Sequence, residues 1–155
     1  MATGDIKWFP AALLDLGNKV HNLSSDTLKM GVVTTSNVPA LSTAAPHWGG
    51  TGATNFASTQ VGTGGGYTAP ITLASVTWTN VSNVPTLRAA DIVIPQNVSG
   101  FSNGAYGIIY NDTDVNKRAL GWIELSSAGA ASIVSGSITI DFQGSGTDIL
   151  KITQS

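Results

Sequence analysis

Apolar and polar positions along this 155-residue chain fall into two regimes. Near the start, "PAALLDLGNKVH", Pro10 to His21, places Leu13, Leu16 and Val20 on one helical face, with Leu14 beside them. Pro10 suits a first helical turn, where its missing N–H costs no bond. Gly17 weakens the segment by about 1 kcal/mol relative to alanine. The spacing predicts one short helix.

From Thr27 onward the period changes to two. In "TLKMGVVTT", Leu28, Met30 and Val32 share a face. "ITLASVTWTNV", Ile71 to Val81, is partly apolar on both faces, as a strand between two layers can be. "TLRAADIVIP" follows the turn "SNVP", and "AYGIIYND", "RALGWIEL", "GSITIDFQ" and "DILKITQS" complete the series. Strands joined by short polar turns predict antiparallel pairing, because parallel pairing needs long crossovers. The expected fold is therefore all-β. It is an antiparallel β-sandwich, jelly-roll-like or a partly open barrel, with one short N-terminal helix, forming a single domain over residues 1–155. Residues 36–66 resist assignment. They are rich in Ala, Gly, Ser and Thr, and structureless stretches of this length usually carry function or form an arm.

Composition narrows the function. Only 10% of residues are charged, against about 25% in an average soluble domain, and the net charge is −2. No basic cluster exceeds Lys117-Arg118, so the positive field that nucleic-acid binding requires is missing. A surface of Ser, Thr, Asn and Gly repels neighbours weakly and tolerates subunit contact. With no cysteine, disulfides and thiolate metal sites are excluded. The opening "MATGDIKWFP" lacks a basic region followed by an apolar run, and no stretch approaches the ~18 apolar residues of a membrane span. The sequence predicts synthesis in a cytoplasm and no membrane partner.

Several stretches imitate chemical motifs. "GTGGGYT", Gly62 to Thr68, could cradle a phosphate only if it opened a helix, and a strand-like "ITLASVTW" follows instead. "GFSNG", Gly100 to Gly104, fits the nucleophile-elbow pattern but also runs into a strand. "DTDVN", Asp112 to Asn116, begins like a calcium loop, yet Lys117 and Ile123 stand where Gly and Glu are required. A zinc site built on His21 and His47, the only histidines, would need carboxylates that no spacing supplies. Glu124 is the only glutamate, and no second carboxylate is placed to work with it. The expectation is no enzyme activity, no catalytic residues, no metal and no cofactor.

Trp78 and Trp122 fall inside expected strands, whereas Trp8 and Trp48 fall outside them. Exposed aromatics can fill a partner's pocket or stack on sugars. Trp48, Phe56 and His47 in residues 36–66, and Trp8 and Phe9 before the helix, are thus the candidate interface residues. Residues 36–66 are expected to pack as an arm across a neighbouring subunit, with Trp48 and Phe56 as anchors.

The order of several segments resembles small structural proteins of tailed bacteriophages. The first is Asp26-Thr27-Leu28-Lys29-Met30-Gly31-Val32-Val33-Thr34 after the helical segment, followed by Gly64-Gly65-Gly66-Tyr67-Thr68. Then come Leu87-Arg88-Ala89-Ala90-Asp91-Ile92, Tyr106 to Thr113 ("YGIIYNDT"), Leu120-Gly121-Trp122-Ile123, and the closing Ile138-Thr139-Ile140 and Asp148-Ile149-Leu150. The similarity runs from about Ala11 onward, departs over residues 39–58, and is to the head decoration or cement type of virion protein. It implies a non-enzymatic protein on the outer capsid surface of a virion, stabilising the lattice of its partner, the major capsid protein, and forming homo-oligomers. The alternatives are a tail or neck component, or a carbohydrate-binding β-sandwich for host attachment that uses Trp8 or Trp48.

Overall fold

The computed structural model describes residues 6–126, 129–142 and 148–152. In chain order the elements are β1 (Lys7–Trp8), α1 (Pro10–Gly17), β2 (Leu28–Val33), β3 (Pro46–His47), β4 (Thr54–Asn55), β5 (Ile71–Thr72), β6 (Thr77–Val81), β7 (Val84–Arg88), β8 (Ile92–Ile94), β9 (Tyr106–Asn111), β10 (Ala119–Glu124), β11 (Ile138–Ile140) and β12 (Leu150–Lys151). The fold is all-β with a single short α-helix. The expected strand ends at residues 143 and 153–155 lie outside the described residues.

A five-stranded sheet in the order β1-β10-β9-β2-β5 forms the centre, with every pairing antiparallel. Its three middle strands are buried almost throughout, so both faces of this sheet are covered. On β2, Met30 and Val32 point one way, while Lys29 and Gly31 point the other, opposite Tyr110 and Ile108 of β9. Smaller sheets surround it: β12-β7-β6, β11-β8 and the parallel pair β3-β4. One connected hydrophobic core runs through all of them.

Two stretches that read as single strands are each divided. Residues 71–81 split into β5 and β6 because Ser75 takes a left-handed backbone, φ 52°. Residues 86–95 split into β7 and β8 around Asp91, whose carboxylate accepts from the Phe142 N–H at 2.9 Å. The β6–β7 hairpin turns at Ser82 and Asn83, with φ 51° and 67°, the positive pair that a tight primed turn requires.

The helix is shorter than the spacing predicts. It ends at Gly17 because Lys19 adopts φ 60°. The Val20 N–H then reaches Asp15 O at 2.9 Å and the Lys19 N–H reaches Leu16 O at 3.1 Å, a Schellman closure. The buried face is also different from the expected one. Ala12 is the helix's only buried residue, packed toward β10, whereas Leu13 and Leu14 face outward at 47% and 66% exposure.

Residues 36–66 are not a projecting arm. Trp48 is 6% exposed and Phe56 0%. The Trp48 ring lies over Gly31, where any side chain would occupy its place, and stacks on Tyr110 with centroids 5.3 Å apart. Phe56 opens a short 3-10 turn, Phe56–Thr59, and meets Phe9 at 5.9 Å. Main-chain bonds stitch the segment down: Thr34 N–H to Thr59 O, Val61 N–H to Val32 O and Trp48 N–H to Lys117 O, at 2.9–3.0 Å. The segment is a lid on the central sheet. A lid needs few large residues of its own, because the sheet beneath supplies the other half of the core.

Candidate interaction surface

The proposed anchors sit in this chain's own interior. Besides Trp48 and Phe56, Phe9 is fully buried, 4.6 Å from Trp122, and His47 is 3% exposed. Trp8 is half-buried, and its indole N–H donates to Ile149 O at 2.7 Å. Trp48, Phe56, Phe9 and His47 cannot enter a partner's surface without leaving the fold, so their assignment as interface residues is corrected, whereas Trp8 keeps part of its surface exposed. The carbohydrate reading loses Trp48 for the same reason.

The glycine-rich stretch has a packing role. Gly64 and Tyr67 exchange both main-chain bonds, at 2.7 and 3.1 Å, closing a turn through Gly65 at φ 58°. That turn drives Tyr67 into the core, where its hydroxyl accepts from the Val32 N–H at 2.9 Å and its ring meets Phe101 edge-on. Burial pushes the Tyr67 phenol above its usual range. The "GFSNG" loop leads into β9, with Gly104 paired to Ala131.

The aspartates of "DTDVN" are engaged in holding the β9–β10 hairpin. Asp112 takes Lys29 at 2.8 Å and Lys117 at 2.7 Å, and these hydrogen bonds, that to Lys117 first, lower its pKa. Asp114 accepts from the Arg118 N–H at 3.1 Å. Asn111, fully buried, is the hub beneath them. Its Oδ1 accepts from the Thr113 and Asp114 N–H groups, which fixes the amide orientation. Its Nδ2 therefore donates to Asp26 Oδ2 at 2.6 Å and to His21 Nδ1 at 3.0 Å. With Nδ1 accepting, neutral His21 carries its proton on Nε2, which is buried, has no hydrogen-bond partner among the described residues and lies 3.9 Å from Asp15. Among the described residues no group of three or more His, Asp or Glu side chains is placed to hold a metal.

This network has a pH consequence. Burial lowers the His21 pKa from 6.5, outweighing the aspartates Asp15, Asp114 and Asp26. Below about pH 6.5 the unfolded chain then takes up a proton that the folded chain refuses, so stability falls as pH drops through that range. Asp112 and Asp148 are also held below 3.8, so their contribution persists to lower pH and disappears only as those carboxylates protonate. Melting temperature should decline in two acid stages. His21→Gln should flatten the upper stage and leave the lower one, as thermal melts across pH would report.

One exposed apolar patch lies on α1, while Val38, Leu41, Val93, Val98 and Val115 are exposed on other segments. Leu13 and Leu14 project from the helix, with Ile152 beyond β12 at 49% exposure, and Leu16 and Leu150 half-buried between them. Leu13, Leu16, Leu150 and Ile152 line a shallow groove of about 530 Å³ on one side of the helix. On the other side, Ala11, Leu14, Pro46 and Ala119 line a second groove of about 280 Å³. The helix is thus a leucine ridge between two grooves. Nearby charges are neutralised: Asp15 meets Arg118 at 3.5 Å, and Asp148 pairs with both Arg88 and Lys151. Arg88, then Lys151, hold the Asp148 carboxyl below its usual range. The spacing of Leu13, Leu14 and Leu16 was visible in the sequence but indistinguishable from a core face.

No family model matches the chain, and no curated protein or solved structure is detectably similar to it. Among the described residues no helix is long and apolar enough to cross a membrane.

Proposed function

We propose that this chain is a virion structural protein that attaches to the outer surface of a capsid and reinforces the lattice of its major capsid protein. It acts by contact and not by catalysis. The observation that carries the reading is the leucine ridge of α1, with Leu13 exposed beside Ile152 and Leu14 exposed over the second groove. Large exposed apolar side chains gathered on one face mark interaction sites more often than singly scattered ones do. Neutralised charges around the ridge lower the desolvation cost of covering it. The resemblance in segment order to phage decoration proteins supplies the kind of partner, and the sparse surface charge favours close packing beside capsid subunits. Each site of a repeating shell that binds folded subunits stabilises the bound lattice by mass action.

The test is Leu14→Asp added to capsids lacking the protein. Leu14 is 66% exposed, so the melting temperature should stay within about 2 °C of wild type. Attachment, measured by co-sedimentation, should fall at least about tenfold, the weight of one interface leucine replaced by a charge. Unchanged attachment would remove the ridge from the interface. If the substitution instead turns a dimer into a monomer in light scattering and capsid attachment persists, the ridge joins two copies of this chain.

A further inference from the structure

Beyond the ridge, a separate cleft of about 390 Å³ opens where the loop after α1 meets the β6 edge strand, lined in part by Lys19, His21, Asn22, Leu23, Ser24 and Trp78. Its volume falls within the ~300–1,000 Å³ range of small-molecule sites. Among its lining residues Lys19 is the cation, with Asp15 and Asp26 behind them at His21 and at the Asn22 N–H. No carboxylate lines it. Among the described residues Lys19 makes no ion pair, and the indole N–H of half-buried Trp78 has no hydrogen-bond partner. The Asn22 side-chain amide N–H groups and the Ser24 hydroxyl are also uncommitted, since Asn22 uses only its Oδ1, as acceptor from the Ser24 N–H. The His21 ring lies behind this wall with its side chain fully buried, so the donors open to the cleft are those of Lys19, Asn22, Ser24 and Trp78. A cleft rich in donors and carrying one cation is complementary to an anion.

The backbone sets the position of the lysine. Lys19 occupies the left-handed position of the Schellman closure, φ 60°, where glycine is the usual residue. A lysine there is less favourable than glycine, as are Ala45, Ser75, Ser82, Asn83 and Lys117 at their own positive φ. Trp78 supplies an apolar ring face beside the cation, which suits the C–H face of a sugar ring.

We propose that this cleft is a binding site for an acidic sugar, with the carboxylate on Lys19 and the ring against Trp78. The donors of Asn22 and Ser24 take the hydroxyls. The site stands apart from the leucine ridge, and neither depends on the other.

The experiment is calorimetric titration of the full chain with sodium D-glucuronate, with D-glucose, inorganic phosphate and an acidic tripeptide in parallel. Glucuronate should bind saturably in the millimolar range and shift the Trp78 indole resonance, assigned by its loss in Trp78→Phe. Glucose, lacking the charge, and phosphate, lacking the ring, should each bind at least about tenfold more weakly. Lys19→Gly separates structure from binding. It should leave the melting temperature equal or raised, because glycine relieves the left-handed strain, and should weaken glucuronate at least about tenfold. The proposal is overturned if glucuronate fails to saturate, if glucose or phosphate matches it, if the tripeptide binds more tightly, or if Lys19→Gly binds as wild type does.

Discussion

Trp48→Ala is expected to destabilise the isolated domain by about 3–5 kcal/mol, the range for removing a buried tryptophan. The ring is 6% exposed and fills the space over Gly31, where the sheet offers no side chain of its own. It also covers one face of Tyr110, whose phenol is pushed far above its usual range, first by burial and then by Asp112. Truncation would leave a void bounded by main chain that cannot collapse, because β2 is held on both sides by β9 and β5. Against a total stability of ~5–15 kcal/mol the loss is a large fraction. For a chain of this size it corresponds to a fall in melting temperature on the order of 10 °C. Thermal denaturation of the free protein measures it. A melting temperature within about 2 °C of wild type would mean that residues 36–66 are a peripheral arm after all. Filling the gap from below should restore part of the loss. Gly31→Leu, harmful alone because it meets the Trp48 ring, should be much less so combined with Trp48→Ala, since contacting residues couple.

The position of Trp48 also shows which parts of the fold the sequence could reveal. β2, β9, β10 and β11 were legible because alternation or a continuous apolar run is a local record of burial. The breaks at Ser75 and Asp91 were not, because their conformations answer to tertiary partners such as Phe142 N–H. Residues 36–66 were misread through their low apolar content. Their few large side chains are core residues facing a sheet distant in sequence, and no window of sequence shows that sheet. The helix misled in the opposite sense. Leucines at helical spacing usually face a core, yet here Ala12 does, because close approach to β10 favours a small residue. Rejecting a phosphate loop at "GTGGGYT" rested on its context, and the turn does lead into sheet and not helix. The cleft at Lys19 and Trp78 had no sequence signal, since it joins a helix terminus to a strand almost sixty residues away.

Asn111→Ala is expected to cost about 3 kcal/mol or more, although it removes only a small side chain. Asn111 is fully buried and satisfies four groups at once: the N–H of Thr113, the N–H of Asp114, Asp26 Oδ2 and His21 Nδ1. Losing a hydrogen bond costs about 1 kcal/mol, whereas leaving a buried partner unsatisfied costs ~1–3 kcal/mol per group. Of the four, Asp26 keeps the Asn22 N–H at 2.8 Å, and the turn amides can find water at the hairpin's surface. His21 has no such recourse, since its Nε2 is already without a partner and its ring is buried. The change should therefore alter the pH dependence as well as the midpoint. With Asn111 gone, nothing donates to Nδ1, and a protonated ring no longer faces an opposed N–H. Asp15, Asp26 and Asp114 then favour the imidazolium more effectively, and the folded-state His21 pKa rises toward that of the unfolded chain. Asn111→Ala should lower the melting temperature at neutral pH and weaken its further decline below about pH 6.5. Titrating the His21 ring by NMR in both proteins provides the direct measurement. An unchanged His21 titration in the variant would mean that burial alone, and not the Asn111 amide, keeps the ring neutral.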